Sequence, residues 1–554
     1  MKRLPIGIEN FKELMDKDYY YVDKSSLIRD ICDKKVVLYT RPRRFGKTLN
    51  MSMLYYFFSI KQKENAYLFD GLDISKDTDA MKYQNEYPVI FITLKDMKRS
   101  TYELQIEKFA SIISNIILKN LDLIDSSALD ISQKELLIHY KNRTSSLGDL
   151  MDSLSIICDC LELHYQKKAI LLIDEYDVPL QSAYLNGYYD EMVDFLRNIF
   201  SAALKTNDAL EKGVLTGCLR IAKESTPKAG FSLFTGLNNF KVDTIFDNIS
   251  NQRFGFTQHE IDILLQNYDV SEYHGQMKEW YDGYLFGNME IYNPWSVLMY
   301  MDKLVNANRK VPESFWANTS GNDIIYRYIK EASPLMRDEF DILASGGIIE
   351  KPIKDDITYR EMDQINNIYS FLLYTGYLKA VSCVDEDQKI YQLAIPNKEI
   401  KRIYVSIFRE WFDEQIDHSG VSFVEALMKD DINSATELLN NVLFKSISYF
   451  DYDEKFYHGV LIGLLNDYQV VSNQESGLGR LDIAVLPQSL NNKGLVFELK
   501  TASSLAELKP KAKKACEQIR KQKYIDGLLA DGYEDIVGYG IAFYKKSCVI
   551  AKME

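Results

Sequence analysis

The segment Arg41-Pro-Arg-Arg-Phe-Gly-Lys-Thr48 follows an apolar run at 36–40 and precedes a helical pattern at 48–60. A loop between a buried strand and a helix offers several backbone N–H groups to an anion, and the helix dipole strengthens the attraction. The segment therefore predicts a phosphate-binding site in an α/β domain. The usual form of this loop has glycine where this chain has Arg41.

Five residues of this loop are candidates for binding ATP and its Mg²⁺. Gly46 permits close approach of the backbone to phosphate, Lys47 supplies a charge for the β- and γ-phosphates, and Thr48 offers a hydroxyl to Mg²⁺. Arg43 and Arg44 make the loop more attractive to anions.

A second apolar run, 169–173, ends in Asp174 and Glu175. In a nucleotide-hydrolysing site the first carboxylate holds Mg²⁺ through Thr48 or water, and the second orients or deprotonates the attacking water. Either pattern alone is common. Both together, in this order, favour a nucleotide site over a solvated loop and a strand cap.

The next apolar run, 213–217, contains Thr216 at its tip, and Arg220 follows. Thr216 is a candidate sensor of the γ-phosphate. Arg220 is a candidate for neutralising transition-state charge, either in its own chain or from a neighbouring subunit of a homo-oligomer. The alternative for Arg220 is an ion pair with a surface carboxylate, and the sequence favours neither.

The alternation of strand and helix patterns predicts a parallel sheet domain in residues 1–250. Residues 251–430 are predicted to form a mostly helical lid or connector with a small winged element, and they contain strand candidates at 377–382 and 389–395. Residues 431–554 return to a mixed α/β pattern. The fold class is therefore α/β, in three predicted domains.

Composition excludes several classes of protein. With 66 basic and 80 acidic residues the net charge is −14, which excludes a uniformly basic coat protein but leaves room for a local basic site. Seven scattered cysteines do not form a disulfide framework, and Cys158 and Cys160, near His164, are better explained as buried thiols than as a metal site. No apolar run is long enough to span a bilayer, so we expect a cytoplasmic protein without a membrane partner.

Two strand candidates near the C-terminus, 481–486 and 495–499, are joined through a polar turn and carry a second group of functional candidates. Glu498 and Lys500 lie two residues apart, so their side chains share one face of a strand. Asp482 begins the other strand and is expected to converge on that face. The two carboxylates are candidate ligands of Mg²⁺ or Mn²⁺, and Lys500 is a candidate for stabilising charge during phosphodiester cleavage.

Residues 500–523 contain eight basic and two acidic residues, a local charge of +6. A helical arrangement places Leu508, Ala512 and Ile519 on one face and most lysines on the other. Such a face suits a nucleic-acid backbone, although a solvated helix surface has the same composition. The candidate nucleic-acid contacts are Lys509, Lys513, Lys514, Gln518, Arg520, Lys521 and Tyr524.

Several segments together resemble the AAA-ATPase-like family, over about residues 4–320. They are YYVDKS, which begins at Tyr20, the loop RPRRFGKT, LLIDEYD, TGCLRIAKES, FTGLNN, EWYDGYLFG and IYNPWSVL. The resemblance implies a P-loop ATPase fold, and the family's variant loop agrees with Arg41. Members are bacterial proteins that commonly carry a C-terminal PD-(D/E)XK nuclease-superfamily domain. Gln518 followed by Tyr524 resembles the helix after the catalytic strand of that superfamily.

The leading hypothesis is an ATP-binding and ATP-hydrolysing protein coupled to a Mg²⁺-dependent nuclease, with DNA as the expected substrate. The alternative is a nucleotide-dependent switch whose nuclease-like domain binds a partner or nucleic acid without cutting it. A small-molecule kinase is a third interpretation. The length of the chain, the nuclease-like C-terminal region and the lack of an evident acceptor-binding segment argue against it.

Overall fold

The structure is a computed structural model, and the chain divides into two compact units. The first comprises Met1–Ser320 and Ile348–Lys401, and the second comprises Gly321–Gly347 and Arg402–Glu554. The described residues are all but 206, 221–223, 227–228, 232–239, 308–309, 317–333, 356, 358, 360, 362–364, 405–419, 447–453, 466–467, 473, 487–492, 531–532 and 554. The segment FTGLNN lies outside the described residues, as does the first part of the predicted C-terminal turn.

The described strands and helices follow one another in mixed α/β order. The strands are β1 (Val36–Thr40), β2 (Val89–Thr93), β3 (Ala169–Asp174), β4 (Leu210–Gly217), β5 (Glu224–Thr226), β6 (Ala229–Phe231), β7 (Phe240–Asp243), β8 (Tyr284–Phe286), β9 (Met289–Ile291), β10 (Ile349–Pro352), β11 (Lys379–Asp385), β12 (Ile390–Ala394), β13 (Gln469–Ser472), β14 (Glu475–Ser476), β15 (Gly479–Arg480), β16 (Ile483–Leu486), β17 (Lys493–Thr501), β18 (Asp535–Tyr544) and β19 (Ser547–Lys552). The α-helices are α1 (Phe11–Asp16), α2 (Leu27–Cys32), α3 (Lys47–Phe58), α4 (Tyr102–Leu118), α5 (Ile131–Asn142), α6 (Leu147–Tyr165), α7 (Val178–Asn186), α8 (Tyr189–Phe200), α9 (Gln258–Asn267), α10 (His274–Tyr281), α11 (Pro294–Val305), α12 (Pro334–Ala344), α13 (Ile365–Thr375), α14 (Gly420–Met428), α15 (Ile432–Ser446), α16 (Glu454–Leu464), α17 (Leu508–Lys521) and α18 (Tyr524–Ala530).

A five-stranded parallel sheet, in the order β2-β3-β4-β1-β7, forms the centre of the first unit. Every residue of β1 and β3 is buried, which is why their sequences are continuously apolar up to their last residues, Thr40 and Asp174, rather than alternating. The edge strand β2 alternates between buried and half-buried positions. The predicted parallel sheet is therefore confirmed. The fifth strand, β7, has few apolar residues and was not predicted.

Several helices of the first unit begin at residues whose side chains accept hydrogen bonds from the first helical turn. Thr101 caps α4 in this way, and Asp130, Ser146 and Thr257 form reciprocal capping boxes at α5, α6 and α9. These caps satisfy N–H groups that would otherwise lack partners. The thiols of Cys158 and Cys160 on α6 are buried, as predicted.

The first unit also contains an antiparallel sheet, β10-β12-β11, and a hairpin, β8-β9. Strands β11 and β12 correspond to the strand candidates at 377–382 and 389–395. The region predicted to be mostly helical thus includes more strand than the sequence indicated. The boundaries at residues 250 and 430 and the winged element stay predictions.

The second unit is built on the mixed sheet β13-β16-β17-β18-β19, in which β16 pairs antiparallel and β18 parallel with β17. Strand β17 is longer than predicted, because Lys493 and Gly494 belong to the strand rather than to the turn. Alternate residues of β17 enter two cores on opposite faces of the sheet. Leu495 and Phe497 pack into the core that contains α14 to α16, and Val496 packs into the core that contains Ile519 of α17.

A fully buried ion pair joins two neighbouring strands of the parallel sheet. Arg41, directly after β1, donates from Nη2 to Asp243 Oδ1 of β7 at 2.6 Å, and neither side chain is exposed to solvent. Its guanidinium lies 5.2 Å and 5.3 Å from the ring centres of Phe254 and Phe286. Arg41 thus occupies the usual glycine position of the loop as part of the core.

We expect Arg41→Leu to lower the free energy of unfolding by about 3–5 kcal/mol, because Asp243 would be left as an uncompensated buried charge. Calorimetric unfolding measures the change. The matched control is Arg29→Leu, which breaks the more exposed pair with Asp77 and should cost less than about 1 kcal/mol. The double variant Arg41→Leu/Asp243→Leu should recover most of the loss. If Arg41→Leu and Arg29→Leu lowered the free energy of unfolding by similar amounts, the prediction would be contradicted.

Candidate nucleotide and nuclease sites

The phosphate-binding loop joins β1 to α3, and two of its residues have the left-handed backbone conformation, with positive φ. Gly46, directly before α3, has φ 80°, a conformation that glycine adopts without strain. Arg44 has φ 69°, which is costly for a residue with a side chain and often marks a functional site. The loop conformation thus depends on Gly46 in particular.

Lys47 begins α3, and its ammonium group is buried beneath the loop. Nζ donates to the carbonyl oxygens of Arg41 and Pro42, both at 3.1 Å, and lies 3.5 Å from Glu175 Oε1. Only 2% of the side chain is exposed. The lysine is therefore held in the loop by carbonyl groups, with one carboxylate nearby to balance its charge.

Asp174, at the end of β3, joins the loop to the neighbouring strand β4. Its carboxylate accepts from Thr48 Oγ1 at 2.7 Å and from Thr216 Oγ1 at 2.5 Å. Burial, reinforced by the charge of Glu175, raises the pKa of Asp174 to about 6, although both hydroxyl donors act in the opposite direction. Three residues predicted separately from the sequence thus meet at one buried carboxylate.

Two further residues of the same segment fix the chain that follows β4. Asp177 Oδ2 accepts from the N–H groups of Cys218 and Leu219 at 2.9 Å and 3.0 Å, and the hydroxyl of Tyr176 donates to Leu219 O at 2.6 Å. Sequence reasoning did not single out these two residues. The sequence feature that could have identified them is their position directly after Asp174 and Glu175 in the segment LLIDEYD.

A cleft of 560 Å³ opens above the loop. The predicted residues that line it are Arg43, Arg44, Gly46, Lys47, Thr48 and Glu175. Asp174 and Thr216 lie beneath it and are buried. Arg220, which is partly buried, is not part of the lining, and its carbonyl oxygen accepts from Ile357 N at 3.2 Å.

Both loop arginines contact other side chains of the first unit. Arg43 Nη2 donates to Gln181 Oε1 at 2.5 Å. The Arg44 guanidinium lies 4.2 Å from the ring centre of Trp295, which also lines the cleft. A nucleotide would therefore enter a cleft with a cationic floor and an aromatic residue at its wall.

The second group of predicted residues meets on the sheet of the second unit. Asp482 directly precedes β16, and because Ile483 pairs with Phe497, it lies opposite Glu498. Asp482 Oδ2 accepts from Leu499 N at 2.9 Å. Lys500 Nζ donates to Glu498 Oε1 at 2.8 Å. Asp482, Glu498 and Lys500 are thus brought to one end of the strand pair.

Glu498 is almost fully buried and its two oxygens have different surroundings. Oε1 accepts from Lys500, whereas Oε2 has no hydrogen-bond partner among the described residues. Burial raises the pKa of Glu498 to about 7, against the effect of the hydrogen bond from Lys500, and the charges of Asp482 and Glu454 add to the rise. A buried carboxylate oxygen without a donor suits a cation.

Two residues of α16 lie near this carboxylate pair and were not predicted as part of the site. Glu454 is exposed and lies close enough for its charge to act on Glu498 and Lys500. His458 Nε2 lies 3.1 Å from Asp482 O. Sequence spacing does not show that α16 lies next to the antiparallel pair β16-β17. The sequence therefore did not identify Glu454 as a residue near the site.

The predicted nucleic-acid residues divide into two groups. Tyr524 is buried, donates to Arg480 O at 2.8 Å, and lies close enough to Gln518 and the carboxylate pair for them to affect its pKa. The second group lies on α17, whose apolar face is buried as predicted. Its exposed members are Lys509, Lys513, Lys514, Arg520 and Lys521.

The residues of the second unit partly fit a divalent cation. Within the described part of the chain, no group of three or more histidine, cysteine, aspartate or glutamate side chains is close enough to hold a metal ion. Asp482 and Glu498 nevertheless lie opposite each other, and Glu498 Oε2 has no partner among the described residues. The pair could hold a hydrated ion that binds substrate phosphate as well.

Comparison with known sequences agrees with this geometry. The family described as predicted AAA-ATPase matches residues 5–226, and the PD-(D/E)XK nuclease superfamily matches residues 452–553. The chain is thus similar to the first family over its N-terminal part and to the second over its C-terminal part. The predicted combination of an AAA-ATPase-like region and a PD-(D/E)XK nuclease-superfamily region is therefore confirmed.

A similar protein from Azotobacter chroococcum mcd 1 is described as an uncharacterized protein in the vnfD 5′ region. It is 24% identical over 572 aligned residues, which cover 99% of this chain and 97% of that protein. No solved structure matches the chain. Among the described helices, none is both long and apolar enough to cross a membrane.

We expect Glu498→Gln to stabilise the second unit at pH 8 by about 2–3 kcal/mol when no divalent metal is present. The folded-state pKa lies above the usual value of 4.5, so stability falls as the pH rises from about 4.5 to about 7 and stays lowered at higher pH. Below pH 4.5 the carboxyl group is protonated in both folded and unfolded states, and the difference should vanish. Thermal unfolding across this pH range measures the effect.

The control for this prediction is Glu517→Gln, which neutralises an exposed carboxylate of α17. It should leave the unfolding temperature nearly unchanged at both ends of the pH range, because solvent already screens that charge. If Glu498→Gln still stabilised the protein at pH 4, ionisation of the Glu498 carboxyl group could not be the cause of the stabilisation.

Proposed function

We propose that this protein binds and hydrolyses MgATP in its first unit and cleaves nucleic acid, with DNA as substrate, at the Asp482–Glu498 pair of its second unit. The bond from Thr48 to Asp174 supports the ATPase activity, because it joins the loop to the carboxylate of β3. The pairing of Glu498 with Lys500 opposite Asp482 supports the nuclease activity. ATP is proposed to control cleavage.

In ATP hydrolysis, the loop N–H groups and Lys47 would hold the β- and γ-phosphates. Thr48 and Asp174 would hold Mg²⁺, which when bound neutralises charge on the phosphate oxygens. Glu175 would accept a proton as the water oxygen bonds to the γ-phosphorus. The bond from that phosphorus to the bridging oxygen breaks, and ADP leaves. Thr216 would detect the terminal phosphate through Asp174.

In the proposed nuclease reaction, Asp482 and Glu498 would bind the metal ion, with Glu498 using the oxygen that lacks a donor. When bound, Mg²⁺ or Mn²⁺ would polarise the scissile phosphodiester. Lys500 would position the attacking water and stabilise the negative charge that develops on the phosphate. His458 would orient Asp482 through its backbone carbonyl oxygen.

The exposed lysines of α17 would bind the nucleic-acid backbone next to this site. The apolar face of α17 packs on the sheet that carries Glu498, Tyr524 lies near the carboxylates, and Gln518 lies next to Tyr524. Lysine ammonium groups bind phosphates without reading sequence, so this surface predicts salt-sensitive binding rather than base specificity.

A nucleotide-dependent switch that binds nucleic acid or a partner without cutting is the second candidate function. The observation in its favour is that no group of three metal-ligating side chains exists among the described residues. In that case the carboxylate pair would not support cleavage even when the basic helix binds nucleic acid.

Cleavage of DNA with Mg²⁺ or Mn²⁺, in the presence and absence of ATP, tests the proposal. We expect Asp482→Ala to reduce the cleavage rate at least about 100-fold while ATP hydrolysis is retained. Lys47→Ala should abolish ATP hydrolysis and the effect of ATP on cleavage. Equal cleavage by the wild type and Asp482→Ala would refute the nuclease, and absence of metal-dependent cleavage in the wild type would favour the switch.

The basic helix generates a separate prediction about binding. The variant Lys513→Gln/Lys514→Gln should weaken DNA binding at moderate salt for all sequences alike, and should reduce the slope of log K against log salt by roughly two. Fluorescence anisotropy at several salt concentrations, with Asp482→Ala as background to prevent cleavage, measures both. The control Lys545→Gln alters a lysine that was not predicted to contact nucleic acid and should leave the slope unchanged.

A further inference from the structure

Lys95 stands next to the catalytic strand of the ATP cleft, and its proposed role rests on the ATPase function proposed above. Thr93, the last residue of β2, pairs with Asp174 in parallel register, and Leu94 N donates to Asp174 O at 2.9 Å. The chain therefore leaves the sheet at Lys95, beside Asp174 and Glu175. Because β2 and β4 flank β3, Lys95 lies on the side opposite Thr216.

The side chain of Lys95 lines the same cleft as Lys47 and Glu175. Its Nζ lies 2.6 Å from Glu9 Oε2, which also lines the cleft. The lysine and glutamate side chains are 42% and 57% exposed, so the pair contributes little to stability and can exchange partners at small cost. A terminal phosphate is a more highly charged partner than one carboxylate.

The two arginines of the phosphate-binding loop that line the cleft already contact other side chains of the protein. Lys47 is bound to two loop carbonyls, and Arg220 does not line the cleft. Phosphoryl transfer spreads negative charge over three equatorial oxygens, which one buried lysine does not surround. Lys98 also lines the cleft, but it lies three residues beyond Lys95 and farther along the chain from β2.

We propose that Lys95 is a catalytic residue that leaves Glu9 when ATP binds and contacts the γ-phosphate. There it stabilises the charge that develops on the phosphate oxygens while Glu175 accepts the proton of the attacking water. Glu9 holds the lysine at the edge of the cleft when no terminal phosphate is present. The chain thus supplies a cation from outside the phosphate-binding loop for the reaction.

Binding and turnover by the full-length protein test this role. We expect Lys95→Met to lower kcat for ATP hydrolysis about 100-fold and to weaken binding of a non-hydrolysable ATP analogue about 10-fold or more. ADP binding should stay within about twofold of wild type, because ADP has no γ-phosphate. Lys95→Arg should keep most of the preference for the ATP analogue over ADP.

Two matched variants serve as controls. Lys76→Met removes an exposed lysine paired with one carboxylate, Asp73, and should change neither binding nor turnover. Lys98→Met should have a smaller effect than Lys95→Met on analogue binding. Equal weakening of ADP and analogue binding by Lys95→Met, or an unchanged kcat, would overturn the role of Lys95, and so would a larger effect of Lys98→Met.

The outcome is separable from failure of the proposed ATPase. If the wild type does not bind or hydrolyse ATP, or if Lys47→Ala binds and hydrolyses it like the wild type, the ATPase proposal itself is wrong. If the wild type and Lys47→Ala behave as expected and Lys95→Met behaves like the wild type, only the inference about Lys95 is wrong. The unfolding temperature of each variant shows whether it is folded.

Discussion

The carboxylate of Asp174 is the group on which the proposed ATP site depends. It is fully buried, and its two oxygens accept from hydroxyls of different elements, Thr48 on α3 and Thr216 on β4. A buried carboxylate is costly unless donors surround it, so removing either hydroxyl would leave an oxygen without compensation. The end of β3 therefore fixes the positions of the phosphate-binding loop and of the strand beside it.

The hydrogen bonds of Asp177 and Tyr176 extend this constraint beyond Asp174. They hold the backbone after β4, while Lys47 is already fixed by loop carbonyls. Consequently the main polar groups of the site are held in place by contacts within the protein itself. Such preorganisation lowers the entropy that must be lost when substrate binds, and it places the charges before the reaction begins.

The sequence predicted strands β1 to β4 from largely continuous apolar runs, which are typical of strands buried on both faces, although β2 proves half-buried at alternate positions. It also predicted that Glu498 and Lys500 share a face, which follows from the period of two in a strand. The partner of Arg41 could not be predicted, because Asp243 lies 202 residues later on a strand with little apolar signal. Contacts of this kind depend on tertiary packing, as does the approach of α16 to Asp482.

The same limit explains why Lys95 had no sequence signal. A lysine after an edge strand is ordinarily solvated, and only the register of β2 with β3 places it beside Asp174. Motif spacing identifies residues that neighbour one another along a loop or strand. It does not identify a side chain that reaches the site from a separate element, and neither Glu9 nor Lys95 belongs to a motif that the sequence indicated.

The two sites differ in what they require from a ligand. Both oxygens of Asp174 have protein donors, whereas Glu498 has one oxygen bonded to Lys500 and the other without a partner among the described residues. The hydrogen-bonding oxygens of the first carboxylate are therefore both satisfied within the protein. The ionised carboxylate of Glu498 destabilises the folded second unit as long as neither a proton nor a cation is bound to it. A cation that binds only the folded state stabilises that state by mass action. Metal binding and stability are consequently linked in the second unit, and that linkage follows from the same missing hydrogen bond that makes Glu498 a candidate ligand.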